Sequence, residues 1–286
     1  MVRYAKPAGL EEALALLGQD RWRILAGGTD FYPALGNRPL AENILDINGL
    51  DELRGVSETA SHIVIGARTN WTDLIRQPLP PAFDALKQAA REVGSVQIQN
   101  MATVAGNLCN ASPAADGVPA LMILDAEVEL RSATATRHLP LDRFILGNRR
   151  TAREPGEMLT AIRVPRNSTA GASSFVKLGA RRYLVISIAM AAARISLGRD
   201  GTVDAAAICV GSCSAVAQRL APLERALAGL RPGPAVADAI ARADLAALTP
   251  IDDVRGTAGY RREAAREIIL RAVMAATGGS AADVAA

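Results

Sequence analysis

Along the first half of the chain, short apolar runs alternate with mixed polar stretches. RILAG (residues 23–27), NILDI (43–47) and HIVIGA (62–67) are strand-length runs rich in Ile, Leu and Val, bounded by glycine and polar residues, and each reads as a β-strand. Helices fit between them. Thr69 is placed to cap a short helix running through Ile75, and Pro81 stands where a second helix opens, with Phe83, Leu86 and Ala90 along one side. From residue 94 to 119 the pattern changes: Gly, Asn, Ser, Ala and Pro dominate without apolar periodicity, which predicts a long ordered loop or a set of turns. Loops of that length in compact domains are usually functional or disordered.

Beyond that segment, VPALMILD suits a buried helix, EVELR a strand, and EMLTAIRVP an extended run ending at Pro165. RNSTAGASS reads as a linker. FVKLGARRYLVISIAMAAARISLG and TVDAAAICVGS then resemble paired strands turning at Arg199, Asp200 and Gly201. Near the C-terminus, Ala264, Ala265, Ile268, Ile269, Ala272, Val273 and Ala276 recur at three- and four-residue spacing, one helical stripe facing a core. GGSAADVAA reads as a frayed tail. Two α+β units follow, residues 1–168 and 169–286, and a length of 286 residues accommodates both.

Composition narrows the class. Half the residues are apolar, yet no apolar run approaches the roughly 18–20 residues of a membrane span. The N-terminal MVRYAKPAGLEEALALL has acidic residues where a signal peptide carries its apolar stretch, so the expected location is cytoplasmic. A formal charge of +3 without a basic cluster gives no sign of nucleic acid. Cys109, Cys209 and Cys213 fall short of the four thiolates of an ordinary iron–sulfur cluster, and neither His62 nor His138 adjoins the CVGSC pair. No metal site is expected.

Two segments have the form of a backbone that approaches an anion closely. AGGTD (26–30) follows an apolar strand, so glycines at positive φ could turn successive N–H groups toward a phosphate, with Thr29 adding a hydroxyl. On this segment alone the plainer reading is a tight strand-to-helix turn with Asp30 in solvent, since a lone Gly-Gly is weak evidence. ATVAGNLCNASPAAD (102–116) interleaves Thr103, Asn107, Asn110, Ser112 and Asp116 with small residues. That mixture suits a polyhydroxylated ligand, and suits also an Asx-rich loop bonded to itself. Neither segment is a GxxxxGKS loop, and AGGTD lacks the third glycine and ribose-binding acid of the Rossmann fingerprint.

In this order and separation, AGGTD, TVAGN (103–107) and NASPAAD (110–116) resemble the FAD-binding medium subunit of molybdenum hydroxylases, the family of xanthine dehydrogenase and aerobic carbon monoxide dehydrogenase. The resemblance extends through LTAIRVP, FVKLGARR and IDDVRGTAGYRREAAREIILRAV, nearly the whole chain. It implies a two-lobed flavin-binding domain of the vanillyl-alcohol-oxidase (PCMH) type, followed by a smaller α+β domain with a three-stranded antiparallel sheet and a helix bundle. It also implies that Ile24, Leu25, Ala26, Gly27, Gly28, Thr29, Asp30 and Phe31 wrap the FAD pyrophosphate, mainly through main-chain amides, and that Thr103, Gly106 and Asn107 complete the cradle. Asn110 belongs to the same set, and Asp116 would accept from a cofactor hydroxyl or imide. Leu159 and Lys177 match positions bordering the cofactor; as residues alone they read equally as a core leucine and a surface charge. Tyr183 matches an aromatic-bearing position beside the isoalloxazine.

The sequence departs from the family at Ala105, where most relatives have glycine, and at Val93, often aromatic in the animal enzymes. The turn at Ala105 survives if its φ is negative. The implied partners are a molybdopterin-binding large subunit and a [2Fe-2S] small subunit, in a dimer of heterotrimers. No residue is assigned to catalysis of substrate hydroxylation. The alternative is a self-sufficient flavin oxidase of the same fold holding FAD covalently, with His62 and Cys109 as the attachment candidates.

Overall fold

A computed structural model describes residues 2–279, so most of the expected C-terminal tail lies outside the described residues. The first lobe contains β1 (Tyr4–Ala5), α1 (Leu10–Gln19), β2 (Trp22–Leu25), α2 (Phe31–Leu35) and β3 (Asn43–Asp46). Its three strands are parallel, ordered β1-β3-β2, which leaves β2 at an edge. Helix α1 buries Leu10, Ala13, Leu14 and Leu17, the spacing that keeps side chains on one face, against Trp22, Leu45 and Leu50.

The second lobe runs through β4 (Val56–Glu58), β5 (His62–Gly66), α3 (Trp71–Arg76), α4 (Asp84–Glu92), α5 (Val96–Met101), α6 (Val104–Asn110), α7 (Gly117–Met122), β6 (Glu127–Arg131), β7 (Thr136–Pro140), α8 (Leu141–Phe144), β8 (Ile145–Gly147), β9 (Arg150–Thr151) and β10 (Met158–Pro165). Its antiparallel sheet has the order β4-β5-β10-β6-β7. Alternation divides the faces: Ile63, Ile65, Val128, Leu130, Ile162 and Val164 point into a core shared with Trp71, Phe83, Leu86 and Leu121. On the opposite face Arg163 bridges Glu127 at 3.0 Å and Glu129 at 3.6 Å, and His62 lies 3.4 Å from Glu127.

Two readings need correction here. The segment 94–119 is not a loop but three short helices, two of them capped by side chains: Ser95 accepts from Ile98 N–H and Thr103 from Gly106 N–H. The cap of α3 is Asn70, whose side chain accepts from Asp73 N–H, while Thr69 is buried and bonded through its hydroxyl to Gly55.

The C-terminal unit holds β11 (Ala172–Leu178), β12 (Ala189–Leu197), β13 (Val203–Gly211), β14 (Gln218–Arg219), α9 (Ala221–Leu227), α10 (Pro234–Ala241) and α11 (Ala258–Ala276). Its antiparallel sheet has four strands, not three. The fourth is two residues long, pairs with Cys209 and Val210, and leaves no periodicity to read. One face of this sheet, with Phe175, Met190, Ala192, Ala207 and Cys209, joins the core of the second lobe. The other, with Ala191, Ala193, Ile208 and Val210, packs on the helices. A sheet covered on both sides accounts for AMAAAR, whose small side chains let both layers approach.

Cys209 Sγ lies 3.7 Å from Met122 Sδ, and Cys213 Sγ 3.7 Å from the Arg261 carbonyl, both in packed interior. No helix among the described residues is long and apolar enough to cross a membrane.

The edge strand β7 of the second lobe carries a testable ion pair. Arg137 grips both oxygens of Glu157, at 2.6 and 2.8 Å, and Glu154 N–H adds a third bond at 2.7 Å. The guanidinium first, and then that amide, hold the Glu157 carboxyl below the usual carboxylate range. A depressed carboxyl contributes stability above its unfolded value of about 4.3 and loses it as pH falls through the lower folded value. Glu157→Gln is therefore expected to cost about 1 kcal/mol at pH 7, given the partly exposed arginine, with the deficit closing in melts run progressively below pH 4.

Candidate functional site

Strand β2 delivers its C-terminal end into a cleft of about 1140 Å³ between the two lobes. Ordinary small-molecule sites span about 300–1,000 Å³, so this one admits a ligand of dinucleotide size. Gly27 is there because nothing larger fits: a Cβ at that position would stand 2.1 Å from the Met101 carbonyl oxygen. Only Gly28 has positive φ, 71°. After the strand ends and before α2 begins, the N–H groups of Gly27, Gly28, Thr29 and Asp30 donate to no acceptor among the described residues. Successive main-chain donors left free in a turn that opens on a cleft form an anion-binding concavity.

Close approach at Gly27 sets this turn against the second motif. Met101 and Ala102 lead directly into Thr103, whose Oγ1 accepts from Gly106 N–H at 3.0 Å. Asn107 N–H is bonded to the Thr103 carbonyl, so the amides of Gly106 and Asn107 are spent within α6. What α6 offers instead is side chains. Asn107 Oδ1 is buried without a protein partner, as are the Nε1 atoms of Trp71 and Trp22, and all three residues line the cleft. Buried polar atoms are rarely left so, and a ligand rich in hydroxyl and imide groups fits them. Ala105 lies inside α6, buried, and is not among the positive-φ residues, so a glycine is not required there. Thr103→Ala removes the α6 cap and is expected to cost about 1 kcal/mol in a denaturant melt.

The cleft gathers Ile24, Leu25, Ala26, Gly27, Gly28, Thr29, Asp30, Phe31, Thr103, Gly106, Asn107, Asn110 and Leu159. Leu159 lines the cleft and also packs in the core. Val93 and Cys109 line the cleft as well. His62 does not: it sits on the outer face of the sheet, with Ser61 Oγ at 2.8 Å and Arg163 Nη2 at 3.3 Å from its Nδ1.

Asp116, Lys177 and Tyr183 lie outside the lining residues. Asp116 and Lys177 form a buried ion pair at 2.7 Å, and Ser187 Oγ donates to the other Asp116 oxygen at 2.7 Å. Burial pushes the Asp116 carboxyl up, against the pull of Lys177 and Ser187. Tyr183 is 62% exposed, with the Arg182 guanidinium 5.4 Å over its ring. Sequence reasoning missed Trp71, Trp22 and Arg149 in the lining. A tryptophan in the first turn of a short helix reads as core, and a turn arginine reads as solvated.

Two lobes around a dinucleotide-sized cleft, a nest of free amides at a strand end and an antiparallel sheet domain packed on the second lobe define a flavoprotein class. The family comparisons agree with the geometry. Residues 1–167 match the FAD binding domain in molybdopterin dehydrogenase, and residues 174–276 match the CO dehydrogenase flavoprotein C-terminal domain. The carbon monoxide dehydrogenase medium chain of Hydrogenophaga pseudoflava is 32% identical over 279 residues, 96% of each chain. The glyceraldehyde dehydrogenase medium chain of Sulfolobus acidocaldarius is 30% identical, covering 94% of this chain and 96% of that one. A crystal structure of Cu,Mo-CO dehydrogenase in its cyanide-inactivated form superposes with a TM-score of 0.89 at 29% identity, covering 97% of this chain and 98% of that chain. The chain belongs to the FAD-binding medium subunits of the molybdenum hydroxylases.

Proposed function

We propose that this chain holds FAD in the inter-lobe cleft and serves as the electron-transfer subunit of a molybdenum hydroxylase. In this reading it assembles with a molybdopterin-binding large subunit and a [2Fe-2S] small subunit as a dimer of heterotrimers in the cytoplasm. The single observation carrying it is the run of unpaired N–H groups from Gly27 to Asp30, set by Gly27 against Met101 in a cleft that also holds the unpartnered Asn107 Oδ1. When bound, FAD couples one-electron donors to a two-electron acceptor. The chain's own residues bind and orient: the 27–30 amides take the diphosphate, Thr103 fixes α6, and Asn107 supplies an unpartnered amide oxygen in the wall. Asp116, Lys177 and Tyr183 border the flavin side in this reading, Asp116 and Lys177 by shaping the wall behind it.

Titrating the flavin-stripped full chain with FAD is the test. Uptake with quenching of the protein's tryptophan fluorescence is expected, because both of its tryptophans line the cleft. No uptake, together with purification from the native host without molybdenum or iron, refutes the proposal. Cys109 in the cleft keeps a second reading in play, a covalently attached flavin. Acid precipitation separates the two, since noncovalent FAD stays in the supernatant.

A further inference from the structure

Four arginines line the cleft, and their surroundings differ. Arg23 is paired with Glu42 at 2.8 Å, Arg153 donates to the Glu157 carbonyl at 2.8 Å, and Arg21 bonds Asp20 through its main-chain N–H rather than its guanidinium. Arg149 contacts only a neutral group, the amide oxygen of Asn110, and no carboxylate among the described residues pairs with it. Its remaining guanidinium N–H groups are uncommitted.

The backbone at Arg149 is also unusual. It occupies the left-handed region, φ 58°, at the turn between β8 and β9, a position that glycine or asparagine would take without strain. The turn is held onto the second motif by Arg149 N–H donating to the Ala111 carbonyl at 3.0 Å, and Ala111 is itself left-handed, φ 49°. A strained, exposed arginine strapped to the end of α6 gains nothing for the fold from its charge. Strain retained at such a place points to a ligand.

We propose that Arg149 is a side-chain cation of the site, donating to the diphosphate of the dinucleotide whose main-chain contacts are the 27–30 amides. This rests on the flavin reading of the cleft. A guanidinium suits it because charge-assisted bonds to phosphate are strong and directional, whereas main-chain amides alone carry no full charge.

The full chain, stripped of flavin, is titrated with FAD, ADP, adenosine and riboflavin as wild type, Arg149→Met, Arg149→Lys and Arg149→Gly, with melting recorded alongside. FAD and ADP are expected to bind roughly tenfold more weakly to Arg149→Met, with a shallower salt dependence, while riboflavin and adenosine are unaffected. Arg149→Lys recovers part of the loss. Arg149→Gly is the discriminating variant: relief of the left-handed strain keeps its melting temperature at or above wild type while FAD affinity still falls. Equal losses for riboflavin and FAD, or a fall in melting temperature for Arg149→Gly, would show a structural strap and overturn the proposal. Equal losses for adenosine and ADP would place the guanidinium on the adenine and also overturn it. Wild type that takes up no FAD defeats the flavin reading itself, whereas tight wild-type binding with unchanged variants defeats only the role of Arg149.

Discussion

Gly27→Ala yields a chain that folds but no longer holds FAD, its affinity lowered by roughly a hundredfold or more. The added Cβ meets three main-chain atoms: Met101 O at 2.1 Å, Met101 C at 2.7 Å and Ala102 Cα at 2.9 Å. None can rotate away. The β2 turn and the approach to α6 must separate by more than 1 Å to reach ordinary contact, and overpacking of this kind costs about 1–3 kcal/mol or more. The displaced parts are the two halves of the cradle, so the cost appears in binding. Gly28→Ala gives the contrasting result. There the obstacle is the exposed Tyr32 ring, 2.7 Å from the added carbon and free to swing outward, and the remaining penalty is the left-handed φ of 71°. That penalty is about 1 kcal/mol, roughly a fivefold loss. Fluorescence titration of both variants, with melting curves as the control, checks the order. A Gly27→Ala chain that binds FAD like wild type would mean that the contact with Met101 does not hold the cradle.

The same glycine shows how far the residues alone could carry the reading. AGGTD behind an apolar strand was legible as a backbone device, and its occurrence ahead of TVAGN and NASPAAD pointed to the family. The reason for each glycine was not. Gly27 is required by a neighbour some 75 positions away in the chain, and no local pattern encodes that contact. Helices α5 and α6 were unreadable for a different cause. Six and seven residues are too few to establish a 3.6-residue period, and their caps, Ser95 and Thr103, are the residue types that also build turns. The paired strands at 189–211 were visible because they are long and meet at Asp200 and Gly201. Their alanines are explained only by the covering of both faces of the sheet, which no local pattern shows. Asp116 and Lys177, 61 positions apart, became partners only in three dimensions.

That partnership supports the second large effect. Lys177→Met is expected to destabilise the flavin-free chain by about 3–5 kcal/mol, lowering its melting temperature by roughly 10 °C, because it strands Asp116 as an unpaired carboxylate in an enclosed place. Both side chains of the pair are less than a tenth exposed. Ser187 is equally enclosed, and its hydroxyl bonds the same carboxylate, so one acidic group ties the end of the second motif to both stems of the segment 179–186. Removing all three polar groups together reverses the sign of the argument. In Asp116→Leu/Lys177→Met/Ser187→Ala no charge is desolvated and no hydroxyl is orphaned, so most of the lost stability returns, as replacement of buried ion pairs by apolar residues commonly allows. Flavin affinity then separates two roles that resemblance alone leaves joined. If the pair only braces the wall behind the cleft, the triple variant recovers FAD binding along with stability; if either residue touches the cofactor, the triple variant is stable and binds FAD weakly. A Lys177→Met chain as stable as wild type would show that the pair braces nothing.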